Sequence, residues 1–197
     1  MKRYIIAVLI VFSVLVTVAE EFSAAISIRT VTPDPLLPVS GGVGASKPTT
    51  LKQGELTVRA LVLQSGTNRL AIVSGDFLGF PALLGNQVRR AVKGIPPQNI
   101  LIGATHTHSA PDCYGFPDEK GGTGADRKYL ESVCVRMAGS INEAVSKLQP
   151  ARLKVATGQA RGKIAYNYYA EQLYDPRCHV LQAVDLSGRP IATLVNY

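Results

Sequence analysis

The residues best suited to chemistry are His106 and His108, in the run Ile100-Leu101-Ile102-Gly103-Ala104-Thr105-His106-Thr107-His108-Ser109-Ala110-Pro111. They are two of only three histidines in the chain, and they stand just past an apolar, strand-like stretch. In extended backbone, residues two apart point to the same side, so both imidazoles are expected to project into one cleft. A neutral imidazole is a common zinc ligand, and a second one beside it can shuttle a proton or steady an oxyanion. On spacing alone, a metal site and a pair of surface histidines are equal readings. A metallo-β-lactamase-type site would want an acid two residues past the second histidine, where this chain has Ala110.

Other side chains are weaker candidates. Asp76 ends an apolar run, and a carboxylate there can hold a ligand histidine in one tautomer or cap a turn. Asp112 and Cys113 follow the histidines and carry donor atoms for a metal. His179, after Cys178, reads as a structural or surface histidine. Asn167 either orients a site group or builds a turn. There is no Gly-x-Ser-x-Gly elbow, and no Walker-type or Gly-x-Gly-x-x-Gly loop.

The elements that must position these groups can be read from pattern. Ala25–Thr32 alternates as a strand does, and Pro33 to Pro48 is Pro-, Gly- and Ser-rich loop. Leu56–Leu63 and Leu70–Val73, joined by Ser65-Gly66-Thr67-Asn68, predict an antiparallel hairpin. Pro81 opens a predicted helix to Val92, with Leu84, Val88 and Ala91 on one face. Asn99–Thr105 is a further strand, so strand, helix and strand form a predicted βαβ unit with a right-handed crossover. The histidines would then lie at the carboxyl end of a sheet strand, where α/β folds place ligands. Ser109 to Ala125 is a long loop. Asp126 caps a predicted helix to Leu148, with Leu130, Val133, Met137, Ile141, Val145 and Leu148 spaced by three and four. Ala151–Thr157, His179–Asp185 and Pro190–Asn196 are predicted strands, the last two a hairpin. The fold class expected is α/β, a mixed central sheet with helices packed on it.

The chain has 197 residues, 46% of them hydrophobic, enough apolar surface to exclude simple disorder. Its formal net charge is +7, of which two come from Lys2 and Arg3. The remaining basic residues are scattered rather than striped, so nucleic acid is not an expected partner; modest contact with an anionic membrane surface fits the charge. Met1-Lys2-Arg3, the apolar run Tyr4 to Ala19, and small residues at Ala19 and at Ser23-Ala24-Ala25 have the layout of a secretory signal peptide over residues 1–25. Its run of 16 is shorter than the ~20 apolar residues of a membrane span. The expected location is therefore secreted or periplasmic, the alternative being an uncleaved N-terminal membrane anchor. Cys113, Cys134 and Cys178 allow at most one internal disulfide.

Several segments carry a resemblance. Arg59-Ala60-Leu61-Val62-Leu63, Ala71-Ile72-Val73-Ser74-Gly75-Asp76, Gly94-Ile95-Pro96-Pro97-Gln98-Asn99-Ile100, Ala104-Thr105-His106-Thr107-His108-Ser109 and Gly188 to Tyr197 come in the order found in the neutral/alkaline non-lysosomal ceramidases. The chain resembles that family of zinc-dependent amidases over residues 26–197. The resemblance implies that His106 is a Zn2+ ligand and that His108 contacts the reacting amide. It implies a ceramide-like lipid amide as substrate, with fatty acid and sphingoid base as products. It also implies that the chain is the N-terminal portion of a larger catalytic domain, since the family's next ligand lies in an Asn-Tyr-Ala-Cys-His-like stretch and this chain ends at Asn196-Tyr197. The alternative expectation is a secreted non-catalytic fragment or binding module, inactive for want of the other ligands. Two departures bear on substrate. The family's Asn-Arg is Asn167-Tyr168 here, with Arg161 nearby, and tyrosine supplies no fixed charge. Gly54-Glu55-Leu56-Thr57 also lacks the family's His-Asp-Pro.

Overall fold

Alternating apolar residues build a sheet with two useful faces. The computed structural model describes residues 21–41, 44–162 and 166–197. Its strands are β1 (Phe22–Thr30), β2 (Thr57–Ser65), β3 (Asn68–Gly75), β4 (Ile100–Ala104), β5 (Gln149–Gln159), β6 (Arg177–Asp185) and β7 (Pro190–Asn196). Its α-helices are α1 (Ala82–Ala91) and α2 (Arg127–Ser146). The strands form one seven-stranded sheet in the order β4-β3-β2-β1-β5-β6-β7. Only β3 and β4 run parallel, joined through α1 as the predicted βαβ unit. The mixed α/β architecture expected from the pattern is the one found.

The β2–β3 hairpin turns on Gly66 and Thr67, with Ser65 opposite Asn68. Gly66 has φ 54°, the left-handed conformation a tight hairpin turn needs and glycine supplies without strain. In β2, Val58, Ala60 and Val62 face the helices, while Leu61 and Leu63 face the other way into a second apolar cluster with Ala24, Ala151 and Ala183. Both faces of the sheet centre are therefore apolar. α2 covers one and the curled β5–β7 unit partly covers the other. That unit is tied to β1 by only two residue pairs, Ser23 with Pro150 and Ala24 with Gln149.

α2 begins where Asp126 accepts a hydrogen bond from the Tyr129 amide at 2.8 Å. Val133, Met137 and Ile141 of the predicted stripe are buried, with Leu130, Val145 and Leu148 packed at its margins. In α1 the buried face holds Gly85 and Val88, whereas Ala91 is exposed. The predicted signal peptide falls on residues 1–20, outside the described residues, and on Phe22–Ala25, which pair with β2 as the start of β1. A cut after Ala19 leaves β1 whole; a cut after Ala25 removes its first four residues.

Glu143 ties α2 to β1. Its carboxylate accepts from Ser27 Oγ at 3.0 Å and from Arg29 Nη2 at 3.1 Å, and it pairs with Lys147 one turn on. The bonds from Lys147, then Arg29 and Ser27, hold its pKa near 2, below the ordinary 4.5. A depressed folded pKa contributes stability that is complete above about pH 4.5 and lost as pH falls through about 2. Glu143→Gln is expected to flatten the fall of melting temperature across that window and not the slope at higher pH. A variant that keeps the wild-type acid slope would contradict this.

Candidate active site

Three loops meet at the carboxyl ends of β3 and β4. Residues 76–81 follow β3, residues 105–125 follow β4, and residues 31–56 join β1 to β2. The segment 39–41 lies along 108–111: Val39 bridges Pro111, and the Ser40 amide donates to the Ala110 carbonyl at 2.8 Å. The Thr105 amide donates to the Gly75 carbonyl at 3.0 Å, which anchors the start of the histidine loop on β3.

His106 and His108 stand side by side, ring centroids 5.1 Å apart and planes at 75°. His106 Nδ1 is 2.7 Å from the Leu78 carbonyl oxygen, and His108 Nδ1 is 2.8 Å from the Gly41 carbonyl oxygen. A carbonyl oxygen only accepts, so each Nδ1 carries the proton and donates. In the neutral ring this leaves both Nε2 atoms with a free lone pair. A histidine held through one nitrogen by a carbonyl, with the other free, is the arrangement in which imidazole ligates metals. The two rings stand together as expected, but not in the extended backbone that the expectation assumed. His106 has φ 61°, and among the described residues it is the only non-glycine with positive φ. Such a conformation costs about 1–3 kcal/mol and clusters at functional sites.

The remaining candidates are placed differently. Asp76 touches neither imidazole. Its Oδ2 accepts from the Thr57 amide and hydroxyl at 2.9 and 2.8 Å. Its Oδ1 accepts from the Thr105 hydroxyl at 3.3 Å and faces Arg59 at 3.4 Å. Asp76 thus fastens the residue before His106, and the tautomers are set by Leu78 and Gly41 instead. Asp112 is fully buried, and it accepts from the amides of Tyr114 and Gly115 at 2.7 and 3.1 Å and of Phe116 at 2.7 Å. Its lone pairs serve the loop. The buried Cys113 thiol donates to the Pro111 carbonyl at 3.6 Å, and it is pushed up to about 12, first by burial and then by the Asp112 charge. Cys113, Cys134 and Cys178 are all free thiols. Asn167 donates to the Leu173 carbonyl and accepts from the Tyr169 and Ala170 amides, all within its own loop between β5 and β6. His179 lies on β6 and shares a hydrogen bond with the Thr157 hydroxyl at 3.0 Å. Four strands separate it from β4 in the sheet order.

Sequence reasoning missed the carbonyls of Gly41 and Leu78, which no residue type marks. It also missed the loop-building role of Asp112, for which a signal existed. Asp after Pro and three residues before Gly, in Pro111-Asp112-Cys113-Tyr114-Gly115, is the composition of an Asx turn. Gly79 was missed too: a side chain there would meet the Tyr114 hydroxyl at 1.8 Å, so glycine lets Tyr114 lie against the segment that holds His106.

Among the described residues, no group of three or more His, Cys, Asp or Glu is placed to hold a metal. The two imidazoles have the donor chemistry zinc prefers, and two donors alone do not make up a four-coordinate zinc site.

No family model matches the chain, and no curated protein matches it in sequence. Solved structures do. Neutral ceramidase from Pseudomonas aeruginosa superposes with TM-score 0.64 at 20% identity, over 89% of this chain and 31% of that one. A ceramidase complexed with C2 gives TM-score 0.64 at 21% identity over the same shares. The chain shares its fold with part of a ceramidase. It spans under a third of the length of these matches, so the likeness is one of architecture.

Proposed function

We propose that this chain carries part of the active site of a zinc-dependent amidohydrolase acting on a lipid amide such as ceramide. The observation that carries the reading is the pair of Nδ1–H···O=C bonds, which leave the Nε2 lone pairs free on two rings 5.1 Å apart, just past the carboxyl end of β4. The ceramidase fold supports the substrate class. His106 Nε2 would hold the metal together with ligands beyond the described set. Zinc, when bound, polarises a carbonyl and acidifies water. His108 Nε2 accepts a hydrogen bond from the attacking water, and its ring is kept from turning by Gly41. Hydrolysis then breaks the carbonyl carbon–nitrogen bond, with hydroxyl going to the acyl carbon and hydrogen to the amine. Export, through a signal peptide cut after Ala19, brings the enzyme to lipid outside the cytoplasm, where the basic surface can meet anionic membranes.

The test uses protein expressed from its whole reading frame. About one zinc per chain and release of fatty acid from an N-acylsphingosine are expected, both lost on chelation. Zinc-free protein with undiminished hydrolysis would refute the assignment. A second reading, a non-catalytic module, draws on the lack of a three-ligand group among the described residues. It predicts neither zinc nor turnover from the same protein.

A further inference from the structure

The acceptor that fixes His106 is a main-chain oxygen, and another loop decides whether that oxygen stays in place. The Leu78 carbonyl accepts from His106 Nδ1 at 2.7 Å. It belongs to the Leu78–Gly79 peptide, within the buried run Phe77-Leu78-Gly79 that follows β3. No hydrogen bond to a described residue holds the Gly79 amide. Glycine accepts either sign of φ at little cost, so its own conformational preference does not stop this peptide from turning over. Turned over, the peptide would present the Gly79 N–H to Nδ1 in place of the Leu78 oxygen. An imidazole nitrogen facing a donor is the acceptor, and in the neutral ring the proton then sits on Nε2. The lone pair that could ligate a metal would be gone. Gly79 is not among the glycines with positive φ, so the peptide stands with its oxygen toward His106.

Tyr114 stands against the turn-over. Its hydroxyl oxygen, Cζ and Cε2 would lie 1.8, 2.6 and 2.9 Å from a Cβ built on Gly79. Positive φ is closed to most residues because the preceding carbonyl oxygen crowds Cβ. Here the tyrosine ring edge fills the place of the missing Cβ, and the Leu78 oxygen would meet it on turning over. The ring is itself fixed. Asp112 accepts from the Tyr114 amide at 2.7 Å, and the Phe116 ring packs beside it with centroids 5.4 Å apart. We infer that Tyr114 is a positioning residue, a latch that bars the Leu78–Gly79 peptide from turning over and so keeps His106 in the tautomer that offers Nε2. The consequence for zinc rests on the amidohydrolase reading; the tautomer is set with or without metal.

Two readouts on protein from its whole reading frame test this: the 15N signals of the imidazoles in metal-free, 15N-histidine-labelled protein, and zinc affinity by competition with a chelator. His106→Gln and His108→Gln assign the signals. In the wild type, His106 should be a single Nδ1–H tautomer. Tyr114 is 52% exposed, so Tyr114→Ala should stay folded. In it, His106 should become a mixture of tautomers and zinc affinity should fall about 10- to 100-fold, the usual loss when the partner of a ligand histidine is disturbed. His108, held by the Gly41 carbonyl, should keep its tautomer. Tyr114→Phe keeps the ring edge and should match wild type in both readouts. Adding Gly79→Ala to Tyr114→Ala supplies a Cβ where the ring was, and should restore the single His106 tautomer. An unchanged His106 in Tyr114→Ala would overturn the latch. So would equal shifts at His106 and His108, which mean a loosened loop, or a double variant that restores nothing. A shifted tautomer in a protein that never binds zinc would keep the latch and discard the amidohydrolase. Zinc-dependent hydrolysis with His106 unmoved in Tyr114→Ala would do the reverse.

Discussion

His106→Ala is expected to lower amide hydrolysis by at least about 10³-fold, a loss at or beyond that of removing a single transition-state donor. The companion expectation concerns stability. His106 sits at φ 61°, where an L side chain costs about 1–2 kcal/mol and glycine costs none. In ordinary backbone, glycine is about 0.5–1 kcal/mol worse than alanine. At position 106 the order should reverse. His106→Ala and His106→Gly both lose the bond to the Leu78 carbonyl, so that loss cancels between them. His106→Gly should therefore be more stable than His106→Ala by about 1 kcal/mol in metal-free protein. Urea midpoints at constant m-value read this difference. Activity and stability then separate, since the glycine variant is the better folded of two inactive proteins. Alanine equal to glycine in stability would show that the fold does not impose the left-handed conformation. Hydrolysis above a tenth of wild type in either variant would remove His106 from the site.

Asp112→Ala should be the most destabilising single change in the histidine loop. Three backbone amides lose their acceptor, and the carboxylate they share is fully buried. An amide left without a partner costs about 1–3 kcal/mol where water cannot reach it. The 114–116 turn has some access to solvent, so the sum should be about 3 kcal/mol, or roughly a 10 °C fall in melting temperature for a chain of this size. Asp112→Asn keeps one accepting oxygen and should cost less than half as much. Asp118 makes a useful contrast. It accepts from the Lys120 and Gly122 amides at 2.8 Å each, but both bonds are open to solvent. Water can replace that acceptor, so Asp118→Ala should cost under about 1 kcal/mol. Similar melting temperatures for the two alanine variants would mean that burial is not what makes Asp112 matter. Amide hydrolysis should also fall with Asp112→Ala, because the turn it builds carries Tyr114 against Gly79, beside Leu78.

Much of the scaffold was legible from local chemistry. The hairpin showed itself through Gly66 between two alternating runs, the βαβ unit through Pro81 and two apolar stretches, and α2 through Asp126 and a stripe at helical spacing. These signals work because turns, caps and amphipathic faces are decided by residues close in sequence. Ala91 was misplaced because a short helix has room for more than one apolar face, and the buried one holds Gly85, which lies toward Ile102 of β4, and Val88. Asp76 admits two readings by position, holding a histidine or capping a turn, and its neighbours in space are Thr57, Arg59 and Thr105.

The sequence by itself determined that two imidazoles follow closely on an apolar strand; that the rings stand together was decided by the loop, since His106 at φ 61° is not in the extended backbone that a spacing of two assumes. Only the tertiary structure decided which nitrogen each offers. That depends on the Leu78 and Gly41 carbonyls, and every residue carries a carbonyl, so no letter in the chain distinguishes these two. The same holds for the left-handed backbone at His106. It arises where loops from distant parts of the chain meet, and a meeting of that kind has no local signature.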